Sequence, residues 1–243
     1  MAIDIRSSLG RIAQTAAGAV LTGIAHAVAA PRVVRLCPPL GATPRIYIAN
    51  HTSNADTVLI WACLSRRERR RVRPVAAADY WLKSPLRRFI GKGVFNAVLI
   101  ERNPEDRTQD PVAQMTAAID AGFSLILFPE GRRNEGEVPL LPLKSGIYHL
   151  ARSRPDLEIV PVWIENLNGV LPRGEVIPVP LICTLTFGPP ISPDLRGAEG
   201  EKARFLAGLA ERMLALSPAG HDRSTPAVGD PPAPADPQGG AQP

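Results

Sequence analysis

A histidine and an aspartate lie five positions apart, directly after a predicted strand. Residues 50–56 have the sequence NHTSNAD, follow the predicted strand at 45–49 and lead into a predicted helix. A carboxylate bound to one ring nitrogen of an imidazole fixes its tautomer and leaves the other nitrogen free to accept a proton. His51 and Asp56 are therefore candidates for a general base and the residue that orients it.

The same segment also suits an ordinary helix start. Thr52, Ser53 or Asn54 can act as the N-cap, and an acidic residue in the first turn is stabilised by the helix dipole. The spacing of His51 and Asp56 alone leaves both interpretations open.

A second polar segment follows the most hydrophobic predicted strand. Residues 128–134 have the sequence FPEGRRN, and the Pro-Glu-Gly turn exposes Glu130, Arg132 and Arg133 as the chain leaves the sheet. The carboxyl ends of parallel strands meet at one edge, so these side chains are expected near His51. Arginine suits a phosphate because its planar guanidinium donates two hydrogen bonds, while a solvated charged turn is the alternative.

Two further strands end or pass near this edge. Residues 98–102 have the sequence VLIER, which places Arg102 at a strand exit, and Lys144 precedes a predicted helix whose dipole favours anions. The strand at 159–164 carries no reactive group. Its Pro161 predicts an edge strand or a bulge, because proline cannot donate to a sheet ladder.

Strands and helices alternate from residue 45 onward. This order predicts a single α/β domain, with a largely parallel or mixed sheet flanked by helices and preceded by an amphipathic N-terminal helix. The strands are predicted at 45–49, 72–78, 95–100, 124–128, 159–164 and 182–187, and the helices at 57–64, 85–90, 111–121, 145–151 and 201–216.

The chain divides into three predicted parts. Residues 1–32 form a membrane-associating helix, 33–216 the catalytic domain, and 217–243 a disordered tail rich in Pro, Gly, Ala and Asp. Apolar residues recur every three or four positions along one side of the helix, which predicts a helix that lies in a bilayer interface or packs on the core. A membrane span and a signal peptide are weaker alternatives. The apolar stripe is Ile5, Leu9, Ile12, Ala16, Val20, Ile24 and Val28.

The charge balance favours an anionic partner. The formal net charge is +5, and a basic run at 66–73 adds to Lys83, Arg87, Arg88 and Lys92 near Trp81. An anionic membrane surface, a phosphorylated substrate or nucleic acid would each fit. Nucleic acid is disfavoured, because no known nucleic-acid module is visible and aromatics are only 5% of residues. Three scattered cysteines argue against a disulfide framework or a zinc site.

Taken together, four blocks resemble the 1-acylglycerol-3-phosphate acyltransferase family. That family carries an N-H-x4-D block, a strand ending in Arg, an F-P-E-G-T-R block and a V-P-V strand. This chain has corresponding blocks at 50–56, 100–102, 128–133 and 160–162, and the resemblance covers about residues 40–190. It departs from the pattern at Arg132, where the family usually has Thr, and at Asn54-Ala55, where the family pair is often bulkier.

The resemblance implies both a reaction and a site. His51 would be the base, Asp56 its orienting partner, and Arg102, Glu130, Gly131 and Arg133 would surround the acceptor phosphate. An acyl thioester, either acyl-CoA or acyl carrier protein, would acylate a lysophospholipid, with 1-acyl-sn-glycerol 3-phosphate giving phosphatidic acid as the expected case. No metal and no cofactor is expected. Backbone N–H groups near the start of the helix at 56 are expected to bind the oxyanion. The expected location is the cytoplasmic face of the cell membrane, peripheral or monotopic.

Other functions remain as alternatives. The acceptor could be another lysolipid, such as a lyso-aminolipid. His51, Asp56 and Glu130 could instead ligate a metal in a phosphohydrolase, or the protein could bind anionic lipid without catalysis. A serine hydrolase is disfavoured, because no G-x-S-x-G motif surrounds Ser53.

Overall fold

A computed structural model describes residues 5–103, 105, 107–167 and 183–218. The strands are β1 (Arg32–Arg35), β2 (Arg45–Ala49), β3 (Val72–Ala77), β4 (Val98–Ile100), β5 (Ser124–Leu127), β6 (Glu158–Glu165) and β7 (Thr184–Phe187). The helices are α1 (Ile5–Ala29), α2 (Asp56–Cys63), α3 (Arg66–Arg69), α4 (Ala78–Trp81), α5 (Pro85–Arg88), α6 (Pro111–Asp120), α7 (Gly146–Ser153) and α8 (Glu201–Leu214), with a π-helical segment at Phe89–Val94.

The strands form one mixed sheet of seven strands in the order β1-β7-β6-β2-β5-β3-β4. Neighbouring strands run parallel except β6 and β7, which pair antiparallel. The predicted fold class is therefore confirmed. We call the side of the sheet where β2, β3, β4, β5 and β6 end the carboxyl edge.

Helices cover both faces of the sheet, because alternating side chains of β2 belong to two separate hydrophobic cores. Tyr47 and Ala49 pack into a core with α1 and α2, whereas Ile46 and Ile48 face a second core built on α6, α7 and α8. A strand buried on both faces needs a continuous apolar run, and all five residues of β2 are buried.

The prediction for Pro161 was wrong, because β6 lies inside the sheet between β2 and β7. The Pro161 carbonyl accepts from the Gly188 N–H at 2.8 Å, so the proline nitrogen faces the same side. Gly188 follows the end of β7, and the missing N–H therefore costs no bond in the β6–β7 ladder.

Helix α1 packs on the domain mainly through residues outside its predicted apolar stripe. Gly18 is buried where α1 meets α2 and the π-helical segment, and a Cβ at this position would lie 3.1 Å from Trp61 and 3.4 Å from Val94. The stripe residues Ile12, Val20 and Ile24 are 65%, 61% and 54% exposed. Small residues let the helix approach closely, so that Ile12, Val20 and Ile24 face outward, whereas Val28 of the stripe packs against the core.

Helix α1 is also the one described helix long and apolar enough to cross a membrane, over Gly10–Ala29 with a mean hydropathy of 1.4. Its carboxyl end joins the sheet, because Ala29 is buried and its carbonyl accepts from the Cys183 N–H at 3.2 Å. The predicted tail at 217–243 lies outside the described residues, apart from its first two positions.

Candidate active site

The backbone of His51 is fixed on both sides at the carboxyl edge. Its N–H donates to Glu130 Oε1 at 2.7 Å, and its carbonyl accepts from the Asn134 N–H at 2.6 Å. The preceding Asn50 exchanges two hydrogen bonds with the backbone of Ile164 in β6, at 2.9 and 2.7 Å. The end of β2 is thereby tied to β6 and to the loop after β5.

The structure brings His51 and Asp56 into contact. His51 Nδ1 lies 2.7 Å from Asp56 Oδ2, which also accepts from the N–H groups of Thr52 and Ser53 at 2.7 and 2.8 Å. The chain between them forms a tight turn, and α2 starts with Ala55 at its N-cap and no side-chain cap. The segment is therefore organised around the Asp56 carboxylate rather than around a capping hydroxyl.

Asp56 is completely buried, and its Oδ1 has no hydrogen-bond partner among the described residues. Burial raises the pKa of this carboxyl, and the bonds from His51, Ser53 and Thr52 oppose that rise. A positive charge on the neighbouring imidazole would stabilise the buried carboxylate, because opposite charges attract strongly where water is excluded.

The His51 ring has a fixed orientation. It stacks on Phe128 with 4.3 Å between ring centroids and 25° between planes, and 21% of its side chain is exposed. With Nδ1 bound to Asp56, the neutral ring carries its proton on Nδ1 and a lone pair on Nε2. His51 lines a cavity, and Nε2 is the nitrogen left for a substrate proton.

Glu130 lies elsewhere than the family resemblance implies. Its side chain is buried, with Oε1 accepting from His51 N–H and Oε2 from Leu141 N–H at 2.9 Å, and it is not among the described residues that line the cavity. Burial raises the pKa of the carboxyl, against the effect of the two N–H donors. The geometry suits a residue that positions His51 rather than one that touches a phosphate.

Gly131 turns the chain out of the sheet after Glu130. Its φ of +70° lies in the left-handed region, and a Cβ here would come within 3.2 Å of the Lys144 side chain. The Lys144 N–H donates to Pro129 O at 2.7 Å. The predicted lysine therefore packs behind the turn and does not line the cavity.

A cavity of about 750 Å³ opens at the carboxyl edge next to His51. One part of its wall is apolar and comes mainly from strand ends and α4. The apolar and aromatic lining residues are Val75, Ala76, Ala77, Tyr80, Trp81, Ile100, Leu127, Phe128 and Leu141. A cavity of this size and mixed character can hold a drug-sized part of a ligand with an apolar chain.

Arginines from two strand exits make another part of the cavity wall positively charged. Arg102 follows β4, while Arg132 and Arg133 follow β5, and all three line the cavity. Arg102 binds Asp79 through Nε at 3.2 Å, and Arg133 lies 3.3 Å from Glu135. Exposed ion pairs of this kind contribute little stability, so an anionic ligand can compete for the guanidinium groups.

Sequence reasoning missed several lining residues. Arg132 was expected near His51 but is not among the phosphate ligands that the family resemblance implies, Trp81 was placed only beside a basic patch, and Tyr80 was not singled out. Position after a strand end identifies Tyr80 and Trp81, because β3 ends at this edge. Asn54 and Thr57 complete the wall beside His51.

Three backbone N–H groups before α2 already have partners. The His51 N–H binds Glu130, and the N–H groups of Thr52 and Ser53 bind Asp56. These three groups are therefore not free to bind an oxyanion. Asn54 and Thr57 are the neutral polar side chains of the cavity that lie closest to His51 along the chain.

The alternative metal site is not assembled in the described part of the chain. No group of three His, Cys, Asp or Glu side chains there is placed to hold a metal ion. Both oxygens of Glu130 face backbone N–H groups instead.

The overall fold resembles that of a solved enzyme. The crystal structure of the 1-acyl-sn-glycerophosphate (LPA) acyltransferase PlsC from Thermotoga maritima matches with a TM-score of 0.58 and 20% sequence identity, covering 82% of this chain and 80% of that one. No curated protein sequence matches this chain.

The family itself follows from the sequence model of the acyltransferase family, which matches residues 30–165. This range includes both β2 with His51 and the loop after β5. The chain belongs to the acyltransferase family.

Proposed function

We propose that the protein transfers a fatty acyl group from an acyl thioester to the free hydroxyl of a lysophospholipid. The observation that carries this proposal is the His51–Asp56 contact of 2.7 Å beside a cavity with an apolar wall and three arginines. Acyl transfer in this family needs a base, space for an acyl chain and, for a phospholipid acceptor, cations for the head group.

In the proposed reaction His51 Nε2 accepts the proton of the acceptor hydroxyl as its oxygen attacks the thioester carbonyl. The tetrahedral intermediate then collapses, the C–S bond breaks, and the imidazolium returns the proton to the leaving thiolate. The Asp56 carboxylate holds the ring and stabilises its transient charge. No acyl-enzyme is formed, and a placed base of this kind contributes about 10²–10⁴-fold.

The acceptor we favour is 1-acyl-sn-glycerol 3-phosphate, whose phosphate would bind Arg102 and Arg133. Arg132 adds a third guanidinium to the same cavity, which suits an acceptor with a doubly charged phosphate. Gly131 gives the chain the turn that presents Arg132 and Arg133, and Glu130 keeps this turn next to His51. The acyl donor is acyl-CoA or acyl carrier protein.

A membrane surface fits the exposed apolar groups. Five large hydrophobic side chains are exposed on α1, α5 and the start of the π-helical segment, and α1 packs against that segment. Basic residues accompany them on α5 and the π-helical segment, as suits an anionic bilayer. We propose that the protein is peripheral or monotopic at the cytoplasmic face of the cell membrane. The five side chains are Ile12, Val20, Ile24, Leu86 and Phe89.

An acceptor panel tests the proposal. The purified full chain is given one labelled acyl-CoA with lysophosphatidic acid, lysophosphatidylglycerol, lysophosphatidylcholine or a lyso-aminolipid, and labelled diacyl product is measured. We expect the highest kcat/KM with lysophosphatidic acid. Preference for a zwitterionic or amino acceptor would contradict the phosphate assignment, and no transfer with either a CoA or a carrier-protein donor would contradict the enzyme activity.

A further inference from the structure

A second cavity of about 570 Å³ lies where α1, α3 and the segment after the π-helix meet. Its lining includes five arginines and, among the residues that the structure describes, no aspartate or glutamate. We call it the arginine groove. The five are Arg11, Arg66, Arg69, Arg70 and Arg73.

The arginine groove is separate from the active-site cavity. Strand β3 contributes Val72 and Arg73 to the groove at its amino end, and residues 75–77 to the cavity at its carboxyl end. No described residue lines both. A strand rises about 3.3 Å per residue, so the nearest lining residues, Arg73 and Val75, are about 7 Å apart along β3.

Two guanidinium groups of the groove are held in place. Arg69 donates to Ala62 O at 3.0 Å and lies 5.1 Å from the Trp61 ring centroid, and Arg73 lies 3.5 Å from the centroid of Phe123. Burial lowers the pKa of both guanidiniums, and the charge of Arg66 lowers that of Arg69 further. These cations are crowded and partly desolvated, and an anion bound among them would relieve their repulsion.

Arg66 and Arg70 are available for a ligand. Both are exposed, and no hydrogen bond or ion pair joins either side chain to another residue in the described ranges. A pair of free guanidiniums next to two fixed ones suits the oxygens of a phosphate group, which accept paired hydrogen bonds.

Helix α1 indicates where that phosphate comes from. The helix contributes residues between Arg11 and Thr22 to the groove, and over the same turns it exposes the apolar side chains Ile12 and Val20. An amphipathic helix lies in the bilayer interface, with its apolar face buried about 5–10 Å into the boundary between head groups and acyl chains. A groove on the flank of that helix would therefore lie at the level of the lipid phosphates.

We propose that the arginine groove binds the phosphate of an anionic phospholipid that is not the acyl acceptor. The bound lipid would bridge α1 and α3 and orient the domain on the bilayer. This inference uses the membrane association proposed above, but it does not depend on acyl transfer.

Vesicle binding without any acyl donor tests the inference. The full chain is sedimented with phosphatidylcholine vesicles that contain or lack phosphatidylglycerol. Arg66→Lys/Arg70→Lys keeps the charge but removes the forked donors, and Arg67→Lys/Arg204→Lys is the matched control, because both arginines are exposed and neither lines the groove. We expect about 10-fold weaker binding to anionic vesicles for the groove variant, as for the loss of a charge-assisted bidentate contact, and little change for the control.

Equal losses in the two variants, or no loss in either, would overturn the proposal. Adenosine 3′,5′-bisphosphate, the nucleotide part of CoA, supplies a second arm in a calorimetric titration. If it binds the wild-type chain and not the groove variant while the lipid preference persists, the groove holds the donor nucleotide and the lipid assignment is wrong. Repeating the vesicle assay with His51→Ala separates this outcome from any failure of the proposed acyl transfer.

Discussion

At the scale of single residues, the hydrogen bonds of Asp56 are unevenly shared between its two oxygens. Oδ2 accepts from the His51 ring and from two backbone N–H groups, whereas Oδ1 is buried and has no partner among the described residues. The fully bonded oxygen cannot rotate away without breaking three bonds. His51 is therefore held in one tautomer and one orientation, as a general base requires.

Arg102 and Arg133 are predicted to act on the acceptor alone. A charge-assisted hydrogen bond removed from water is worth about 1.5–3 kcal/mol, so Arg102→Ala or Arg133→Ala should lower kcat/KM for the lysolipid by about 10- to 100-fold. The KM of the acyl donor should change little. Lysine should restore activity only in part, because it lacks the planar fork. Steady-state kinetics with each substrate varied in turn provide the measurement.

Asp79→Asn is the matched control for Arg102. It weakens the same ion pair, which is 57% exposed on the arginine side, but it leaves the guanidinium in the cavity. If Arg102 only stabilises its loop, Asp79→Asn should reproduce the defect of Arg102→Ala. The kinetic constants for both substrates should then worsen equally, and the melting temperature should fall. That pattern would reject the phosphate-binding role.

At the scale of elements, Glu68 joins the start of α3 to the segment before β2. Its carboxylate accepts from Ser65 N–H at 2.7 Å in a capping box, from Leu40 N–H at 3.4 Å, and from Arg35 at 3.3 Å. Burial raises the pKa of Glu68, but the bonds from Ser65, Arg35 and Leu40 outweigh it and the net pKa is lowered. The charged carboxylate is thus a stabilising group of this region.

Glu68→Gln is predicted to destabilise the fold in a pH-dependent way. A lowered folded pKa means that the stabilisation is present above the ordinary glutamate pKa of 4.5 and is lost as pH falls through the lower folded value. Near neutral pH the variant should lose about 1–3 kcal/mol, and the difference from wild type should shrink below that range. Denaturant unfolding at several pH values, with exposed Glu137→Gln as control, measures it. A difference that does not vary with pH would contradict the linkage.

Most of the sheet could be predicted because its strands are buried on both faces. The buried strands β2, β5 and β6 are near-continuous apolar runs between turn residues, so their positions follow from composition and length. The orientation of α1 could not be predicted in the same way. Predicting the orientation of a helix from hydrophobic periodicity assumes that its most apolar face packs inward. In α1, Gly18 allows close contact with Trp61, so the face with small residues packs against the domain instead.

The site was predictable where its contacts are local. Five positions separate His51 from Asp56, and a short turn is enough to join them. Glu130 contacts the His51 N–H from 79 positions away, and no local pattern distinguishes a carboxylate that positions a backbone from one that faces a ligand. Its role therefore emerges only from the three-dimensional structure.

At the scale of the whole molecule, exposed apolar side chains are concentrated on the α1 side. Replacing Ile12, Val20 and Ile24 together by Ser should release the chain from vesicles, because each apolar side chain that enters a bilayer contributes roughly 1.5–3 kcal/mol. An affinity loss of at least about 100-fold is expected from three such groups. The melting temperature in solution should be nearly unchanged, since all three side chains are mostly exposed. Vesicle sedimentation at high salt gives the measurement.

The control for this experiment changes the same number of exposed apolar side chains elsewhere. Val33, Leu36 and Val138 are also exposed, at 38%, 50% and 53%, and they lie outside α1 and its neighbours α5 and the π-helical segment. Their combined replacement by Ser should leave vesicle binding intact. Equal release by both triple variants would show that α1 is not the membrane-binding face.

The central claim, that His51 is the base of an acyl transfer, is tested most directly by thiol release. The initial rate of free CoA formation is measured with acyl-CoA and lysophosphatidic acid for wild type, His51→Ala and Asp56→Asn, with melting temperatures to verify folding. We predict lysolipid-dependent thiol release by wild type, a loss of at least about 10²–10⁴-fold in folded His51→Ala, and a smaller but clear loss in Asp56→Asn. Near-normal release by a folded His51→Ala protein would contradict the mechanism.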